Sequence, residues 1–103
     1  MRSVTESLEY LLETDDEYGR LRGEYDALDY LIKVAEATGY REASGTQEHR
    51  KAYGRTADRY VELVERFKQV ATEYHTVGAK RKTCELVIEV WRSQNANRRV
   101  GNV

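Results

Sequence analysis

The chain has 103 residues and no proline, with 34% charged and 40% apolar side chains, which bounds it to one small domain, residues 1–103, with a thin core. Its net charge of −1 divides into −6 over residues 1–45 (eleven acids, five bases) and +5 over residues 46–103 (seven acids, twelve bases), a split that bears on partners and self-association and not on fold. The single cysteine, Cys84, excludes an intramolecular disulfide, and no run approaches the roughly 20 apolar residues of a membrane span.

The first ten residues lack the apolar core of a signal peptide. Leu8, Leu11 and Leu12 share one helical face and predict a short N-terminal helix. Thr14-Asp15-Asp16-Glu17 then reads as a capping box, in which the Thr14 hydroxyl accepts from the Glu17 N–H and Glu17 reaches back. Asp15 and Asp16 suit the positive end of the helix dipole. Adjacent helical carboxylates point apart and no loop of calcium-binding spacing follows, so the cluster is not read as a metal site.

Tyr18, Leu21, Tyr25, Leu28, Ile32, Ala35 and Gly39 recur in alternating steps of three and four, a heptad seam of about three repeats. Gly19 and Gly23 inside it mark either a close helix approach or tolerated surface positions. Gly45 is a suitable stop, and Thr46 can cap the next helix with Gln47 and Glu48 in its first turn. A second seam follows, Tyr53, Ala57, Tyr60, Val64, Phe67, Ala71 and Tyr74, overlapped by another register: Leu63, Phe67, Val70, Tyr74, Val77, Arg81, Cys84, Ile88 and Trp91.

The expected fold class is therefore all-α: a long, coiled-coil-like antiparallel helical hairpin with a short N-terminal helix, its second long helix continuous from Gln47 to about Asn97. The alternative is a three-helix bundle broken near Gly78. Alternation over residues 84–91 also resembles a strand, but a lone strand leaves its backbone unpaired. Residues 94–103 are polar and basic and read as a flexible tail.

Chemistry is sparse. His49 and His75 lie 26 residues apart without ligand partners at helical spacing, no nucleophile elbow or phosphate loop is present, and Cys84 has no histidine near it. No catalytic residue, metal ligand or cofactor is expected. Eight tyrosines against one Phe and one Trp suit either a narrow core with half-wet rings or a binding face.

The pattern Lys80-Arg81-Lys82, Glu85-Leu86, Ile88-Glu89-Val90-Trp91-Arg92-Ser93, Asn95-Ala96-Asn97-Arg98-Arg99 and Gly101-Asn102, with Asp15-Asp16-Glu17-Tyr18 and Asp29-Tyr30 before it, resembles small uncharacterised helical proteins of tailed phages and prophages. The resemblance covers most of the chain without a functional motif. It implies an accessory role, beside phage DNA replication or recombination genes or in blocking a host factor.

These readings converge on a cytoplasmic, non-enzymatic binding protein that contacts other proteins. The apolar stripe past Val77 outruns the expected partner helix, so Cys84, Val87, Ile88 and Trp91 are the expected interface of a homodimer or larger assembly. The alternative is a nucleic-acid-binding accessory protein. Its phosphate contacts, or contacts to an acidic partner, would come from Lys80, Arg81, Lys82, Arg92, Arg98 and Arg99.

Overall fold

The computed structural model describes residues 2–101, and three helices hold nearly all of them: α1 (Val4–Glu42), α2 (Gln47–Thr56) and α3 (Asp58–Gly101). No strand occurs among the described residues, and residues 84–91 are helical. The fold is all-α, two long antiparallel helices joined through one short helix. That short helix is α2, in the middle of the chain; Leu8, Leu11 and Leu12 belong to the first turns of α1, which runs 39 residues without a break. Residues 94–101 continue α3, and residues 102 and 103, the end of the expected tail, lie outside the described residues.

Local chemistry accounts for the helix ends. Ser3 caps α1, its hydroxyl accepting from the Glu6 N–H at 3.1 Å. The chain leaves α1 through Gly45, whose φ of 106° is a left-handed conformation that glycine adopts without penalty. Thr46 then caps α2, accepting from the His49 N–H at 3.2 Å. Arg50 lies over the Tyr40 ring and donates to the Tyr40 carbonyl, satisfying an acceptor in the last turn of α1.

Two expectations change here. Thr14 opens no helix: it is buried in mid-helix, and its hydroxyl donates to the Tyr10 carbonyl four residues back at 2.7 Å. The second long helix, continuous through Gly78 as expected, starts at Asp58 and not at Gln47, because Ala57 is extended (φ −61°, ψ 140°). Beside this break the Thr56 hydroxyl bonds the Tyr53 carbonyl, competing with the helical ladder, and Asp58 suits the positive end of α3.

The chain packs as two compact units: unit 1 is Met1–Gly19 with His75–Val103, and unit 2 is Arg20–Tyr74. Unit 2 has the richer apolar core. Leu21, Leu28, Leu63 and Val70 are buried, and the Tyr25 ring sits 5.0 Å from both Phe67 and Tyr74, so these rings serve the narrow core. Each such aliphatic burial stabilises by about 1.5–3 kcal/mol. Arg66 and Arg55 of this unit pair with Glu24 and Glu36; both arginines are exposed and add little.

In unit 1 the same heptad frame continues towards the N-terminus, but as Thr14, Leu11, Ser7 and Val4, opposite Val77, Arg81, Cys84 and Ile88 of α3. Among the described residues of this unit the buried apolar ones are Cys84 and Ile88, while Ser7 and Thr14 are buried and polar. The Ser7 hydroxyl finds no partner among the described residues.

Glycines divide by what surrounds them. A Cβ at Gly19 or Gly23 would meet nothing within 4 Å, so both are tolerated surface positions. Gly19→Ala and Gly23→Ala are each expected to raise stability by up to about 1 kcal/mol through helix propensity, read as a higher urea midpoint with an unchanged slope. The close approach lies elsewhere, where Gly39 of α1 meets Gly54 of α2.

Candidate functional site: the outer face of α3 in unit 1

Arg81 decides how the basic C-terminal third is presented. It occupies a seam position, and its side chain is only 14% exposed. One terminal nitrogen donates to the Leu11 carbonyl and to the Thr14 hydroxyl, both at 2.8 Å, and the other donates to Asp15 at 2.6 Å. The guanidinium lies 5.1 Å from the centre of the Tyr18 ring. A planar fork with five donors suits such divergent acceptors, and an ammonium could not span them. Of the six basic residues read as phosphate contacts, Arg81 is thus held inside the helix pair; Lys80, Lys82, Arg92, Arg98 and Arg99 are exposed.

The four residues read as an interface are divided too. Cys84 is 1% exposed and Ile88 9%, both covered from within the chain. The reason is the length of α1: it begins at Val4, so the partner helix is not exhausted at Val77. Val87 is half-buried and Trp91 is 48% exposed. Two residues outside that set, Leu86 and Val90, are 52% and 55% exposed. With Arg2, Val4, Val87 and Trp91 they line a groove of about 470 Å³. Arg2 folds over the Tyr10 ring, 4.0 Å from its centre.

The groove is open and its walls are mainly apolar, with no acid, base and nucleophile converging on it. Among the described residues no three His, Cys, Asp or Glu side chains gather as a metal site, and no helix is long and apolar enough to cross a membrane. What this surface can do is exclude water from another apolar surface. Trp91 also joins Arg92, Asn95 and Arg99 in lining a smaller depression of about 160 Å³.

In the sequence Leu86 and Val90 belong to the apolar face past Val77 together with Cys84, Val87, Ile88 and Trp91; that they are its bare part follows only from α1 covering Cys84 and Ile88. No protein family, curated protein or solved structure matches the chain.

Proposed function

We propose that the protein is a non-enzymatic helical binding protein that acts by protein–protein contact through the outer face of α3 in unit 1, needing neither metal nor cofactor. In this reading it is a cytoplasmic accessory factor of a tailed phage or prophage, as its sequence resemblance implies, and it self-associates as a homodimer or larger assembly. The observation that carries the reading is the contiguous exposure of Leu86, Val90 and Trp91 around one apolar groove. Burying such side chains stabilises by about 1.5–3 kcal/mol each, and contiguous apolar patches on a polar protein mark contact surfaces. A groove along one helix best fits the apolar stripe of another. The test is affinity capture from host lysate with the native chain and with Val90→Glu. Proteins retained by the native chain and lost by the variant support the reading; identical capture by both removes it.

A second reading, nucleic-acid binding, is favoured by Trp91, Arg92 and Arg99 lining one small depression, where a base could stack and phosphates could pair. Replacing Lys80, Lys82, Arg92, Arg98 and Arg99 with Gln is expected to abolish any gel shift, and native binding should weaken steeply with salt. Arg81 is left out of this set because α1 already engages it. A native chain that shifts neither single- nor double-stranded DNA or RNA at low salt ends the second reading.

A further inference from the structure

Helix α3 carries two heptad seams. One, Val77, Arg81, Cys84 and Ile88, is half-buried or buried. The other runs Thr76, Ala79, Thr83, Leu86, Val90, Ser93 and Asn97, again in alternating steps of three and four. All seven are exposed and none is charged, in a chain with 34% charged residues. Such spacing presents a continuous stripe to one further helix.

We propose that this outer seam is a homodimer interface in which α3 of a second copy lies antiparallel along it, centred between Thr83 and Leu86. The proposal rests on the reading of this face as a protein-contact surface, and it names the occupant, its direction and its register. Lys82 and Glu89 lie seven residues apart on the same flank of the stripe. In an antiparallel pair, equivalent flanks of the two helices meet. Centring the axis between Thr83 and Leu86 then sets Lys82 opposite the partner's Glu89, and Glu89 opposite the partner's Lys82. Two-fold symmetry makes both pairs from one.

The same register sets large against small along the seam: Leu86 on the partner's Thr83, and Val90 on the partner's Ala79. The Thr83 hydroxyl already donates to the Ala79 carbonyl of its own helix at 3.1 Å, so burial there orphans no donor. Competing arrangements are poorer. A shift that sets Leu86 on the partner's Val90 brings Glu89 against the partner's Glu89, a like-charge clash. A parallel pair sets Lys82 opposite Val87 and Glu89 opposite Gln94, with no opposite charges meeting.

The experiment is a charge-reversal cycle followed by sedimentation equilibrium of the purified full chain. The native protein is expected to reach twice 12.0 kDa at micromolar concentration. Lys82→Glu and Glu89→Lys should each weaken self-association about tenfold, through two symmetric pairs turned from attraction to repulsion. The double variant should return to within about threefold of the native chain. Val90→Glu should hold the mass at 12.0 kDa with an unchanged helical circular dichroism spectrum, since Val90 is exposed within the chain.

A native chain that stays at 12.0 kDa at every concentration overturns the dimer. So does a double variant weakened by the sum of the two single effects. The two readings of this face fail separately. A monomeric native chain that still loses captured lysate proteins on Val90→Glu overturns the dimer and leaves the contact surface standing. A dimer that obeys the charge cycle supports this inference, whatever the lysate yields.

Discussion

Alanine at Gly54 is expected to cost about 2 kcal/mol of stability, although alanine is the better helix former by about 1 kcal/mol. Gly54 is buried, and a Cβ there would lie 2.7 Å from the Glu36 carbonyl oxygen and 3.3 Å from the Tyr40 nitrogen of α1. The reciprocal Cβ at Gly39 would lie 2.5 Å from the Gly54 Cα. Both obstacles are backbone, so no rotamer change relieves them, and α1 and α2 must move apart. That movement also pulls on the Arg50 bond to the Tyr40 carbonyl and on the Arg55–Glu36 pair. A lowered urea midpoint with an unchanged slope is the expected readout for Gly54→Ala and for Gly39→Ala. The double variant should cost less than the sum, because the helices need to separate only once. A raised midpoint for Gly54→Ala would refute the close approach.

Arg81→Met is expected to cost about 2–3 kcal/mol, mostly from losing charge-assisted bonds in a partly buried place. Methionine keeps the apolar stem and removes the fork, leaving the Thr14 hydroxyl without the donor it now accepts from. The Asp15 arm contributes least, since that carboxylate is 58% exposed, and Asp15→Asn should cost under about 1 kcal/mol. Arg81→Lys should recover little, because one ammonium cannot reach acceptors that diverge from Leu11 to Asp15. Chemical denaturation ranks the three variants. A neutral Arg81→Met would mean that the network is decoration on a seam held by Cys84 and Ile88 alone.

Much of this fold was legible from spacing. The seam from Tyr18 to Gly39, the register from Leu63 through Arg81 to Ile88, continuity past Gly78, the Gly45 stop and the Thr46 cap all follow from residue type at heptad or capping positions. The N-terminal extension of α1 was not. Its seam continues through Ser7 and Thr14, which look like surface and cap residues. Leu8 and Leu12, which look like a core face, are 47% and 75% exposed. Apolar residues are often outside, so a three-leucine face is weak information.

The length of α1 decides which face of α3 is bare in unit 1. With α1 taken to run out opposite Val77, Cys84 and Ile88 looked uncovered; with α1 reaching back to Val4, the bare face shifts to Leu86 and Val90, with Val87 and Trp91 at its border. Gly39 stands at a seam position, but Gly54 looks no different in sequence from Gly19 and Gly23, because only the crossing of two helices tells it apart. The break at Ala57 has neither proline nor glycine to announce it.

The spacing of partners along the chain also orders events in time. In unit 2, Arg55 and Glu36 are 19 residues apart and Arg66 and Glu24 are 42 apart, whereas in unit 1 Arg81 meets Leu11 across 70. Forming the last of these contacts first would cost about 1 kcal/mol more chain entropy than forming the shortest. It would also gain little, because the seam there is built from Ser7, Thr14 and Arg81. Folding is therefore expected to start near the Gly45 connection, where local contacts are quick to make, and to extend along α1 and α3 until Arg81 finds the Leu11 carbonyl. The end that closes last is also the first to reopen, so the helix pair of unit 1 is expected to open more often than that of unit 2, and it is the pair that carries the bare Leu86 and Val90.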